Sequence, residues 1–263
     1  MRAPLAVLEV DLGEGVRAGF TTRAGGNLGF AEADEAEDAR INRRFVERWA
    51  GGPIAFSTQV HGADIALVSP LGDAVGDLVV HRCSGPSLTS VGRYDGLVAI
   101  HGAGIGVLVA DCVPVLLADP GAGVVGAVHA GRRGLAGGVV QAGLATMVAH
   151  GARPERIRAA IGPAICGKCY EVPPELRTEV AAVMPSTWGT TSWGTPALDL
   201  PAGVAAVLAA AGVRHIQRLA ICTRTDERFY SYRRAQQVGA TTGRFAGLIR
   251  ATPFVPGVSA ADR

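Results

Sequence analysis

The 263-residue chain lacks a long apolar run. The nearest to one, residues 134–149, is rich in glycine and alanine and shorter than the roughly 20 residues a membrane-spanning helix needs. The first sixteen residues, MRAPLAVLEVDLGEGV, carry acids inside their apolar stretch, so no secretory leader is expected there. Blocks of basic charge are also missing. Net charge is +2, and arginines such as Arg2, Arg43, Arg93, Arg153 and Arg218 are scattered, which argues against a nucleic-acid-binding protein. Single arginines still suit small anions. Cysteine is sparse: five residues at irregular positions do not make a secreted disulfide framework. No repeat of fixed period and no clear linker divides the chain. The expectation is one domain over 1–263 with a loose tail from about 252, soluble and cytoplasmic, as a monomer or small homo-oligomer without nucleic-acid or membrane partners.

What is present is apolar and mixed in period. With 48% hydrophobic and 18% charged residues, the chain can bury a large core. Short apolar runs fill 5–22, before the turn TTRAGGN. Residues 34–50 read as a helix with Ile41, Phe45 and Trp49 at four-residue spacing. Residues 53–68 read as two strands meeting at His61-Gly62, and 69–93 as a loop or insertion. Three compact runs, GLVAI (96–100), GIGVLVAD (104–111) and GVVGAVHA (123–130), look like buried strands. Further helices are expected at 134–150, from Pro173-Pro174 to about Met184, at 202–211 and near 235–246. Strands are expected at 157–161 and 219–222, and a loop over 185–197. The fold class is therefore mixed α/β.

Three metal-binding side chains stand at the ends of these apolar runs. His61 follows Gln59-Val60, Cys112 follows Asp111 at the close of GIGVLVA, and His129 closes GVVGAV. The short connection DPGAG (119–123) suits adjacent strands that bring Cys112 and His129 together. Imidazole and thiolate both bind zinc, and three protein ligands leave a fourth position open. On spacing alone a buried polar trio without metal is the commoner arrangement.

The segments TTRAGG (21–26), QVHG (59–62), ADCVPVLLAD (110–119), AVHAGRRGL (127–135), IGPAICGKCYEV (161–172) and FYSYRRAQQVGATTGR (229–244) occur in one order. Together they resemble the YfiH-like or laccase-domain family, also known as peptidoglycan editing factor, over about residues 19–249. The resemblance implies mixed β-sheets packed together and covered by helices, similar to the cysteine-hydrolase-like toxin fold. It implies metal ligands at His61, Cys112 and His129. It also implies zinc-dependent purine nucleoside phosphorylase activity on adenosine, inosine and methylthioadenosine with phosphate, and a side adenosine deaminase activity. Copper-dependent phenol oxidation is the older reading of the family, and a cysteine hydrolase acting in cell-wall precursor editing is another alternative. The chain departs from the family pattern at Arg132, where tryptophan is usual, at Ala235, where aspartate is usual, in a shortened segment after Gly26, and in a longer 69–93 region.

Around the trio, Asp111 is either a base or ligand-orienting group or a strand-end cap. Arg23, Arg133, Arg234 and Arg244 are phosphate candidates, with Arg234 placed among the catalytic residues, because guanidinium forks match phosphate oxygens. Gln59 either binds a base or sugar edge or pairs strands. Tyr170 either stacks on a base or shapes its loop. Cys166 and Cys169 form a Cys-x-x-Cys, which on its own could be half a zinc site or a redox pair and is read here as loop residues lining the site. Met1, Met147 and Met184 give no nearby axial partner for a blue-copper centre. A competing reading makes Cys112 a nucleophile with His129 as its base.

Overall fold

The computed structural model describes residues 6–30, 36–69, 81–82 and 91–252. Among these, one mixed sheet has the order β1 (Val7–Glu9), β2 (Val16–Thr21), β14 (Phe245–Ala251), β7 (Gly104–Val109), β3 (Ile54–Ala55). A larger mixed sheet has the order β13 (His215–Arg218), β10 (Arg158–Ile161), β8 (Val113–Asp119), β9 (Val124–Ala130), β6 (Gly96–Ala99), β4 (Ile65–Ser69), β5 (His81–Arg82). A small hairpin joins β11 (Trp188–Thr190) to β12 (Pro196–Leu198). The helices are α1 (Ala36–Ala50), α2 (Arg132–Ala136), α3 (Val139–Ala149), α4 (Pro174–Val183), α5 (Leu200–Ala210) and α6 (Tyr232–Gln237).

The period-two alternation of β8 explains the layering. Val113, Val115 and Leu117 point to a core shared with Val140, Leu144 and Met147 of α3 and Val204 and Leu208 of α5. Leu116 and Ala118 point the other way, into a second core with Phe20, Ile105, Val107 and Ile249 of the five-stranded sheet. All seven β8 residues are buried, so the strand has no polar face. On the far side of the five-stranded sheet, Val46 and Ala50 of α1 cover Ile54, Phe56, Ala246 and Leu248. The order of layers is helix, sheet, sheet, helices, as the family resemblance implies.

Several expected boundaries move. The helix of 36–50 buries Ala39, Val46 and Ala50, while Ile41 and Phe45 are exposed. Arg43 turns inward instead: its Nε donates to the Leu28 carbonyl at 3.0 Å and its guanidinium sits over Phe30 and Phe56. The helix expected at 134–150 breaks at Gly137-Gly138, where Gly138 has φ 88°. The 185–197 loop contains the β11–β12 hairpin. Pairing along β10 places the next strand at 215–218 rather than 219–222. Residues 245–251, expected to lie largely beyond a helix ending at 246, form β14 between β2 and β7. Most of 69–93 and the tail from 253 lie outside the described residues.

The chain repeatedly crosses between the two sheets. Three of its four such crossings among the described residues run at 56–64 from β3 to β4, at 110–112 from β7 to β8, and at 219–244 from β13 to β14. These three crossings carry most of the residues singled out in the sequence.

Candidate metal centre and cleft

The first two crossings need sharp backbone reversals. His61 (φ 61°) and Asp111 (φ 88°) are both in the left-handed region, which costs a side-chain-bearing residue of order 1–2 kcal/mol. Strained backbone of this kind persists only where surrounding contacts hold it. For His61 those contacts come from Asp95. This fully buried carboxylate accepts the backbone N–H groups of Val60, His61 and Gly62 at 3.1, 2.9 and 2.7 Å. It also accepts from His129 Nδ1 at 2.8 Å. Burial pushes the Asp95 carboxyl up, but the His129 hydrogen bond and the N–H groups of Gly62 and Val60 outweigh it and hold the group below the usual carboxylate range.

With Nδ1 engaged by Asp95, His129 presents Nε2 to the cleft, as carboxylate-supported metal ligands do. One ligand atom each of His61, Cys112 and His129 lies within 4.8 Å of the others. Cys112 Sγ is 3.8 Å from His61 Nε2, and the two imidazoles meet edge-on with centroids 4.9 Å apart. Burial pushes the Cys112 thiol up, yet the adjoining His129 and His61 outweigh it and bring the group down to about 6. For His129, burial acts downward, and Cys112 and Asp95 together raise it to about 9. The backbone of Gly131 forms the wall of this group. A Cβ there would lie 2.7 Å from His61 Cδ2, 3.2 Å from Cys112 Sγ and 3.5 Å from His129 Cε1. The donor set and its converging geometry fit a thiophilic divalent ion.

The trio lies in a cleft of about 780 Å³ that is also lined by Arg43, Arg132, Arg133, Arg233 and Arg244. Among the described residues the one carboxylate on its wall, Asp111, is already bonded through both oxygens. Oδ1 accepts from Thr223 Oγ1 at 2.6 Å and Oδ2 from the Arg233 N–H at 2.7 Å. The described lining therefore carries more arginine than carboxylate charge. Phe30, Phe56, Tyr170 and Tyr232 supply its aromatic surface.

Among the residues read from the sequence, His61, Cys112, His129, Asp111, Gln59, Arg133, Tyr170 and Arg244 line this cleft. Gln59 is engaged in a strand-like pairing: its amide donates to the Leu108 carbonyl at 2.6 Å and accepts from the Leu108 N–H at 2.9 Å. Arg234 lies outside the lining. Its guanidinium donates to the carbonyls of Thr223, Arg224, Asp226 and Phe229, fastening the loop ahead of α6. The neighbour Arg233 enters the cleft instead, over the Tyr170 ring. Arg23 also lies outside, exposed against Tyr230.

A model of the multi-copper polyphenol oxidoreductase laccase family matches residues 14–252. The chain belongs to that family. A purine nucleoside phosphorylase of Streptomyces griseus is 45% identical over 242 residues, covering 88% of this chain and 92% of the relative. The crystal structure of YlmD from Geobacillus stearothermophilus superposes with a TM-score of 0.81 at 32% identity, over 96% of this chain and 98% of that one. Protein NMB0706 of Neisseria meningitidis gives 0.77 at 31% identity, over 94% and 100%. In this chain His61 and Cys112 stand at sheet crossings, and His129 stands near the end of β9.

Three contributors escaped the sequence reading: Asp95, Gly131 and Arg233. Asp95 carried a usable signal, since it directly precedes the fully buried run Gly96–Ala99, where a carboxylate must find donors. Arg233 and Arg234 cannot be told apart without the helix phase.

Proposed function

We propose that the chain is a zinc-dependent purine nucleoside phosphorylase acting on adenosine, inosine and methylthioadenosine with inorganic phosphate, with adenosine deamination as a side activity. The observation that carries the reading is the arginine-rich cleft around the His61–Cys112–His129 group, bordered by aromatic rings. Several relatives at 37–45% identity are named purine nucleoside phosphorylases, which supports the same activity here. Phosphorolysis needs a phosphate held against the anomeric carbon and a base whose leaving charge is stabilised.

Arg132, Arg133 and Arg233 supply the forked donors for phosphate. The aromatic rings shelter the purine. His61, Cys112 and His129 hold zinc, which when bound supplies a Lewis acid that polarises a substrate oxygen. Zinc fits better than copper because a His, His, Cys copper electron-transfer site adds a weak axial ligand, usually methionine. Met147 and Met184 both belong to the core beneath the helices, and no methionine lines the cleft among the described residues.

The test is release of ribose 1-phosphate from adenosine and phosphate by zinc-loaded protein, with Cys112→Ala as control. Phosphate-dependent product from wild type and its loss in the variant are expected. No product from wild type, or undiminished product from Cys112→Ala, refutes the assignment. Activity in metal-free protein that is blocked by thiol alkylation would favour a Cys112 nucleophile instead.

A further inference from the structure

A second group of metal-binding side chains lies outside the cleft wall. Cys166, Cys169 and Cys222 place their sulfurs within 4.8 Å of one another, and all three are free thiols. Cys166 and Cys169 are brought to the same side by a tight turn, in which the Cys169 and Tyr170 N–H groups both donate to the Cys166 carbonyl at 2.9 Å. Cys222 arrives from the crossing between β13 and β14, where it forms an isolated parallel bridge with Ala164. The Cys166 N–H points at Cys222 Sγ at 3.5 Å, an arrangement that favours thiolate over thiol at Cys222.

We infer that Cys166, Cys169 and Cys222 form a second zinc site, distinct from the His61–Cys112–His129 group, in which three thiolates hold the ion and solvent or a small ligand takes the fourth position. Tetrahedral thiolate zinc with bonds of about 2.3 Å places sulfurs about 3.8 Å apart, so a contraction of about 1 Å at most closes the site. Cys169 is buried while Cys166 and Cys222 are half-buried, leaving one side open to the fourth ligand.

Without a cation, ionisation of Cys222 opposes that of Cys166. Burial and the neighbouring Cys222 push the Cys166 thiol up to about 12, while Cys222, despite burial, is held below its usual range by N–H and side-chain donors that include Cys166. A bound ion removes this conflict, and each remaining thiol proton passes to solvent.

The site would join two loops that build the cleft. Next to Cys166, Ile165 lines the cleft and donates to the Asp111 carbonyl, and Tyr170 follows Cys169. Next to Cys222, Thr223 donates to the Asp111 carboxylate. The second ion would therefore fix the wall on which the first site rests.

Zinc per chain, measured on gel-filtered protein after loading and chelator washing, tests the inference. Cys112→Ala should retain one equivalent, and adding Cys222→Ser to it should remove that equivalent while circular dichroism shows the fold intact. This holds whether or not the first site takes metal, so failure here is distinct from failure of the phosphorylase reading. In case the double variant does not fold, cobalt substitution of Cys112→Ala supplies a second readout: strong thiolate-to-cobalt charge-transfer absorption near the intensity expected for three sulfurs. A zinc-free Cys112→Ala chain with a native fold, a cobalt adduct without charge-transfer bands, or a disulfide among the three cysteines in protein purified anaerobically would each overturn it.

Discussion

Gly131 shows how closely a single position governs the metal centre. Its backbone is ordinary, with φ −75° and ψ 167°, so alanine is conformationally acceptable there. The added methyl would nevertheless press on His61 and Cys112. Gly131→Ala is expected to leave thermal stability of the metal-free chain nearly unchanged and to weaken zinc binding by about tenfold or more, on the scale of other changes that disturb ligand orientation. Competition with a chromophoric chelator measures this; wild-type affinity in the variant would count against the geometry.

Cys112 yields a pH prediction. Its folded value of about 6 lies below the ordinary 9.0, so the thiolate contributes stability in full above pH 9 and loses it as pH falls through about 6. His129 behaves oppositely: raised from 6.5 to about 9, its contribution is complete below pH 6.5 and lost as pH rises through about 9. The ion pair thus occupies the window between about pH 6 and pH 9. Alkylation of Cys112 in metal-free protein, followed by peptide mass spectrometry, should have its half-maximal rate near pH 6, and a midpoint near 9 would contradict the pairing. The His61–Cys112–His129 group was legible chiefly because the ordered motifs around it resemble a family with ligands at those positions; standing at the ends of apolar runs was by itself weak evidence. Asp95 was passed over despite preceding an apolar run, because its partners, the 60–62 backbone and His129, lie more than thirty residues away on either side.

Among the elements, α6 is short and depends on its neighbours. Ser231 Oγ accepts from the Arg234 N–H at 3.1 Å, and the Asp111 carboxylate accepts from the Arg233 N–H, so two side chains cap one helix start. This fixes the phase that sends Arg233 into the cleft and Arg234 into the carbonyls of 223–229. Conservative exchange separates the two roles. Arg233→Lys should raise KM for phosphate about tenfold with little change in melting temperature, since a guanidinium fork is lost where the anion binds. Arg234→Lys should cost about 1–3 kcal/mol of stability through unsatisfied carbonyls. Steady-state kinetics beside thermal unfolding distinguishes them, and the reverse pattern would exchange their assignments. Elements with strong local signals, such as α4 behind Pro173-Pro174, were legible. The run FAGLIRA (245–251) was not, because the helix expected from 235 was carried past Gly239 and Gly243 to 246, whereas hydrogen bonding to β2 and β7 on both sides makes it a strand.

For the whole molecule, the two sheets meet on small residues opposite one large ring. Phe20 is fully buried and fills the space over Gly162, where a Cβ would lie 2.3 Å from its ring, and over Gly247. Phe20→Ala is expected to destabilise the chain by about 3–5 kcal/mol, read by urea denaturation, because the facing glycines have no side chains with which to fill the void. A loss below about 1 kcal/mol would mean that the sheets close over the gap. Layering of this kind was legible only as a class: buried runs announce strands, but which strands share a sheet depends on pairings far apart in sequence.

The crossings at 56–64 and 110–112 have one more consequence. His61 and Cys112 sit where the chain passes from one sheet to the other, and His129 lies on β9 of the larger sheet. An ion held by all three would be linked thermodynamically to the closed arrangement of the layers. At a free concentration one hundred times its Kd it would add about 2.7 kcal/mol against any opening that separates the ligands. Amide hydrogens near the crossings would then exchange more slowly in the metal-bound chain, by up to about a hundredfold, with the occupied centre serving as a latch on the breathing of the two sheets.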